Sequence, residues 1–286
     1  MSPTLLFIVT DGFAIRNRAE YHNERMSLPA RIFLVCMSFF LGHCTTSSPI
    51  LRGPKEQGYY ELGLNAFQEE RFPDAIGYLE KALELNSADA DSRLILGLSL
   101  LGIGRGTEAE KQVSSACRQR LEWANCWDNL SYVYIKNKKF ELAVESADRA
   151  LKIKTYNSAH LAYINRAQAL FEMGHVDDSL KSLERAKTLA PDHCPIHIHI
   201  ARALILKKQT ADALLEIRFA LSKCPQDPLV HLWEAFGLFQ NKELRKTHQK
   251  LRYIRQRFPK GLAMEQATRY SELLKDEIPL PEPPLD

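Results

Sequence analysis

The chain repeats itself at a fixed interval, and that constrains its fold more than any other feature. The segments YYELGLNAFQEERFPDAIGYLEKALEL, RLILGLSLLGIGRGTEAEKQVSSAC and WDNLSYVYIKNKKFELAVESADRALKI share one pattern. So do YINRAQALFEMGHVDDSLKSLERAKTLAP and HIHIARALILKKQTADALLEIRFALSKCP. Their frames start near residues 56, 90, 124, 160, 194 and 228, in steps of 34, 34, 36, 34 and 34. Each unit reads as helix–turn–helix and is too short to bury its own apolar face, so it must stack on its neighbours.

Small residues recur where two helices must approach closely: Gly63, Ala75 and Ala82; Gly97, Ala109 and Ala116; Ser131, Ala143 and Ala150. They continue as Ala167, Ser179 and Ala186, then Ala201, Ala213 and Ala220. Trp127, Tyr134 and Phe140 are large enough to fill the gaps between helices, and Pro191, Pro225 and Pro259 stand at repeat ends, where Pro stops a helix. The period and these positions resemble the tetratricopeptide-repeat family. The resemblance implies an all-α superhelical solenoid of six helix–turn–helix repeats over residues 56–260. The sixth repeat is degenerate, with Thr247 and Ile254 in place of alanines. A capping helix is expected over 261–276, using Leu262, Tyr270, Leu273 and Leu274, followed by an extended, solvent-exposed Pro-rich tail over 277–286.

Ahead of the repeats, Ile32 to Gly42 is an uncharged run of eleven residues. A bilayer span needs about 20 apolar residues, whereas the core of a secretory signal needs about 7–15. With Arg31 as its positive flank, this run reads as a signal peptide within residues 1–43. Residues 1–25 make a long, mixed-charge leader, so translation from Met26 and a longer cytoplasmic leader are both open. Leu41, Gly42, His43 and Cys44 resemble a bacterial lipoprotein cleavage box, with His43 where a small residue is usual. The resemblance implies acylation of Cys44, a tether over 44–55 and, since Thr45 is not Asp, an outer-membrane destination facing the periplasm.

Charge and motifs argue against chemistry. Net charge is +3 with no strong basic block, so nucleic acid is not an expected partner. GIGRG (Gly102, Gly104, Gly106) lacks a preceding strand and a following Lys-Ser/Thr, and falls at the turn inside repeat two. His193, Cys194, His197 and His199 crowd one stretch, but His197 and His199 are two apart and face different sides of a helix, so no metal or other cofactor is expected. No nucleophile–base pair or carboxylate pair stands out, and no enzymatic activity is expected.

Cys194 opens the first helix of repeat five and Cys224 ends the second, so antiparallel packing brings them together. Cys117 ends repeat two and Cys126 starts repeat three. Disulfides are expected if the body is exported, and buried thiols if it stays in the cytoplasm. The expected protein-binding surface is the inner face of the first helices: Tyr60, Leu64 and Phe67; Leu94, Leu98 and Leu101; Tyr132, Ile135 and Lys136; then Gln168, Phe171, Arg202 and Ile205. The first helix of repeat two is apolar all round, and its inner stripe is exposed unless the N-terminal segment covers it. No Lys/Asn carboxylate clamp is recognisable, which disfavours a cytosolic chaperone adaptor.

The two-residue insert with Tyr156 after repeat three, and the closing LRYIRQRFPKGLAMEQATRYSELL, resemble the Tgl/PilF-type outer-membrane lipoproteins. Where that family has Asn-Leu-Gly in repeat four, this chain has Asn165, Arg166 and Ala167. The resemblance implies a monomeric pilotin, anchored by lipid, whose partner is a secretin subunit of the type IV pilus. A general periplasmic scaffold for envelope enzymes is the alternative.

Overall fold

A computed structural model describes residues 52–275 and residue 283. Among the described residues every regular element is a helix, and thirteen follow one another. They are α1 (Pro54–Gln68), α2 (Phe72–Leu85), α3 (Ala90–Gly102), α4 (Gly106–Gln119), α5 (Ala124–Lys136), α6 (Phe140–Lys152) and α7 (Ala159–Glu172). The rest are α8 (Val176–Leu189), α9 (Cys194–Leu206), α10 (Thr210–Lys223), α11 (Pro228–Gln240), α12 (Leu244–Arg257) and α13 (Leu262–Lys275). No helix among the described residues is long and apolar enough to cross a membrane.

The same turn joins the helices of every repeat. Glu70, Gly104, Lys138, Gly174, Lys208 and Lys242 occupy the fifteenth position of their frames, and all have positive φ. The next amide reaches back to the carbonyl five residues earlier, as in Arg71 to Ala66, Arg105 to Leu100 and Gln209 to Leu204. This is the Schellman closure, which satisfies the last carbonyls of a helix through one left-handed residue. Gly104, the centre of GIGRG, serves this turn at φ +80°.

Within a repeat the second helix lies against the first through its smallest side chains. Ala75, Ala82, Ala109, Ala116, Ala143, Ala150, Ala213 and Ala220 are fully buried. Ser131 and Ser179 use the same close approach to donate to Ala143 O and Ala167 O at 2.8 and 2.7 Å. At Gly97 the fit is tighter still: an added Cβ would stand 2.5 Å from Val113 Cγ2 and 3.0 Å from Ala109 O. Gly97→Ala should therefore destabilise the protein by about 1–3 kcal/mol through overpacking. Urea denaturation of the variant beside the parent checks this.

The core runs unbroken from repeat one into repeat four, through Leu79, Leu96, Leu100, Leu130, Val133 and Ala162. A second cluster joins repeats five and six to α13 through Ile217, Trp233, Leu251, Ile254, Ala263, Ala267 and Tyr270. Repeat six forms despite its altered positions. Thr247 turns its hydroxyl back to Glu243 O at 3.1 Å, and Ile254 is fully buried. In the cap, Leu273 and Leu274 pack against the cluster as expected, while Ala263 and Ala267 supply the close contact and Leu262 remains half-buried. The expected solvent exposure of the tail does not hold at Pro283, which is buried. The rest of the tail lies outside the described residues, as do Met26, Cys36, His43, Cys44 and the whole signal segment.

Candidate protein-binding face

First helices of neighbouring repeats touch one another all along the array, whereas second helices of neighbouring repeats barely meet. The stack therefore bends with α1, α3, α5, α7, α9 and α11 on its inside. This places the expected binding residues on one continuous inner face.

That face is not the open apolar stripe that the sequence suggests. Leu94, Leu98 and Leu101 are 2, 4 and 6% exposed, and Phe67, Tyr132 and Ile135 are equally buried. Tyr60 and Leu64 are half-buried. Every residue of α3 from Leu94 to Leu101 is buried, so its inner stripe is closed to solvent. The half-buried inner positions lie at the two ends: Tyr60 and Leu64 in repeat one, then Gln168, Phe171, Arg202, Ile205 and Phe239 in repeats four to six. Arg202 lies over the Phe171 ring at 4.0 Å and pairs with Glu172 at 3.0 Å, joining repeats four and five.

Two polar arrangements on this face escaped the sequence reading. The first begins at Arg52, within the expected tether. Its Nε and Nη2 donate to the two oxygens of Asp89 at 2.8 and 2.7 Å, and Nη2 reaches Asp91 at 3.0 Å. The guanidinium also stacks on Tyr60, 3.9 Å from the ring centroid. Burial pushes the Asp89 carboxyl up, but hydrogen bonds from Arg52 and Ser92 outweigh it and hold the group below its ordinary range. Arg52 is thus fixed to the array although it lies inside the span expected as a tether, and the first helix starts at Pro54 rather than 56. A single Arg ahead of a helix carries no periodic signal, because its partner is a repeat away.

The second is Asp128, on the inner side of α5. Its carboxylate accepts from Tyr156 Oη at 2.8 Å and from Asn165 Nδ2 at 2.8 Å. Tyr156 comes from the two-residue insert and Asn165 from α7, so the network spans the junction of repeats three and four. Burial pushes the Asp128 carboxyl up to about 6, although both hydrogen bonds pull it down.

The cysteines of the body meet in pairs. Cys117 is disulfide-bonded to Cys126 with Cα atoms 5.4 Å apart, and Cys194 to Cys224 at 6.4 Å. Both spans lie within what a disulfide allows. The crowded histidines do different work. His197 is buried, with Nδ1 2.6 Å from Glu216 and Nε2 2.7 Å from Pro191 O, which fixes the entry to α9. Among the described residues no three His, Cys, Asp or Glu groups come together to hold a metal.

Comparison with known proteins agrees with this geometry. Models of the tetratricopeptide repeat match residues 60–120 and residues 124–157 and 160–193. The chain is 21% identical over 243 residues to a DnaJ homolog subfamily C member 7 homolog of Dictyostelium discoideum, covering 83% of this chain and 41% of that protein. It is 23% identical over 171 residues to the human Protein O-mannosyl-transferase TMTC1, covering 59% of this chain and 19% of that one. It thus spans between a fifth and two fifths of these relatives. Among solved structures, PilW, a widely conserved type IV pilus biogenesis factor, superposes with a TM-score of 0.68 at 15% identity, covering 76% of this chain and 99% of PilW. PilF of Pseudomonas aeruginosa gives 0.63 at 16% identity, covering 79% and 99%. These likenesses are of fold, and the fold is an all-α tetratricopeptide-repeat solenoid.

Proposed function

Starting from a tetratricopeptide-repeat solenoid, we propose a non-enzymatic protein-binding scaffold, a pilotin that promotes secretin assembly for the type IV pilus. In this reading, acyl groups on Cys44 hold the scaffold at the outer membrane, facing the periplasm, and the chain acts as a monomer. One conjunction carries the reading. A lipoprotein-like box at Leu41–Cys44 precedes a repeat array whose fold matches nearly the whole of PilW, a type IV pilus biogenesis factor, and of PilF. Two or more acyl chains give stable anchoring, where one is marginal.

The inner face then works by capture and concentration. An amphipathic segment of a secretin monomer lays its apolar side against the half-buried positions of repeats four to six, with Phe171 and Ile205 as anchors and Arg202 beside them. Holding monomers at the membrane raises their local concentration where a ring must form. Charge at Leu98 or Leu101 would be a poor probe of this, since both are core and would unfold the scaffold.

Phe171→Ala combined with Ile205→Ala should weaken secretin binding about tenfold, as loss of two central anchors does. Secretin multimers in envelopes should fall while the scaffold itself stays at parental abundance. Mass spectrometry of the mature N-terminus should find diacyl or triacyl Cys44. Unchanged multimers, an intact leader, or envelope hydrolases as the main captured partner would each overturn the assignment.

A further inference from the structure

One helix concentrates positive charge to a degree that the net charge of the chain conceals. From Leu244 to Gly261 there are seven Lys and Arg residues and no Asp or Glu, so the remainder of the chain is net acidic. Helix α12 turns Thr247, Leu251 and Ile254 inward and exposes everything else except the half-buried Lys250. Arg245 and Arg252 therefore crown its outer side, with Arg255 on one flank. Among the described residues none of these three, nor the exposed Lys260, forms an ion pair. Lys246 and Lys250 are committed to Glu243 and Glu234, and Arg257 to Gln226 at 2.8 Å.

At its first turn this pattern works against the helix that carries it. The first turn holds no acidic residue but has Arg245 and Lys246 at the positive end of the dipole. Arg252 and Arg255 are like charges three residues apart, and like neighbours on a helix repel. Arg255 and Arg257 in the last turn suit the negative end of the dipole, but Arg245 in the first turn does not, and an opposing sheet of negative charge would stabilise it. Apolar groups sit among the cations: Leu244 is 52% exposed and Tyr253 41%.

We propose that the outer face of α12 rests on an anionic lipid bilayer. A basic helix with interspersed aromatic and aliphatic side chains suits the interface of such a membrane. The face is a convex ridge on the outside of the stack, so it can touch a plane but cannot enclose a peptide. Its arginines are not held at fixed spacing by partners, which suits mobile phosphates better than a fixed set of carboxylates. Charge segregated to one outer helix also orients an otherwise acidic body toward the surface before contact. The contact is independent of acylation at Cys44, so either can fail without the other.

The test uses the full chain carrying Cys44→Ser, in co-sedimentation with phosphatidylcholine vesicles and with vesicles of equal parts phosphatidylcholine and phosphatidylglycerol. The expected partition onto the anionic vesicles is at least about tenfold higher, and high salt removes the difference. Arg245→Glu with Arg252→Glu should abolish the preference, and Arg245→Gln with Arg252→Gln should reduce it, with helicity unchanged in both. Equal binding of the parent to the two vesicles, or an undiminished preference in both variants, overturns the proposal. Tighter binding to duplex DNA or polyglutamate than to the anionic vesicles overturns the choice of a bilayer.

Discussion

Replacing Cys194 and Cys224 together by Ala should lower the stability of the oxidised protein by about 3–4 kcal/mol, the expectation for a crosslink closing a loop of about thirty residues. The bond ties the entry of α9 to the exit of α10, so it closes repeat five upon itself. In a solenoid each repeat contacts only its neighbours, and the loss should appear first as local opening. Amide exchange in α9 and α10 should accelerate before that in α3 or α5. The Cys117–Cys126 bond closes a loop of about ten residues, for which the same relation gives about 2–3 kcal/mol. It joins repeat two to repeat three, so its removal should loosen the junction rather than one unit. Urea midpoints of the two double variants, measured beside the parent with and without dithiothreitol, check the ranking. If dithiothreitol shifts the parent no more than the variants, these bonds contribute nothing in solution.

Asp128→Asn should stabilise the protein at pH 7.5, by on the order of 1–3 kcal/mol, and change its pH dependence. Burial raises the carboxyl from 3.8 to about 6 in the folded chain. Between those values the folded form holds a proton that the unfolded form has released. Stability therefore falls as pH rises through about 4 to 6, and the full loss is felt above that window. The shift of about two units corresponds to about 3 kcal/mol. Asn removes the buried charge and keeps the shape. Its oxygen still accepts from Tyr156, and its amide donates to Asn165 once that side chain turns over. The parent should lose stability between pH 4 and 6.5 relative to the variant, and Asp128→Ala should be less stable than either because Tyr156 and Asn165 lose their acceptor. Thermal melts of the three proteins across that range decide it. A variant less stable than the parent at every pH would mean that the hydrogen bonds outweigh desolvation.

The residues that encode the fold were legible because they recur. Gly63, Gly97, Ala109 and Ala143 mark close helix approaches at one interval, and Pro191, Pro225 and Pro259 mark repeat ends. The cysteine pairs could be placed for the same reason, since a known frame fixes which helix ends adjoin. The inner face was legible as a set of positions but not in its exposure. Leu98 and Leu101 sit where a groove would be, yet both are core. The basic crown of α12 was hidden because its cations are spaced along a helix rather than run together.

By itself, then, the sequence determined an all-α solenoid, its repeat frame and which cysteine-bearing helix ends adjoin. All of these are relations between near neighbours, and a period of 34 residues makes such relations visible. Only the tertiary structure decided that Arg52 is locked on Asp89, that burial raises the Asp128 carboxyl above its ordinary range, and that the stripe of α3 is closed. It also decided that Arg245, Arg252 and Arg255 share an outer face. Burial and pKa are sums over contacts from elements a repeat or more away, and no local pattern carries those sums.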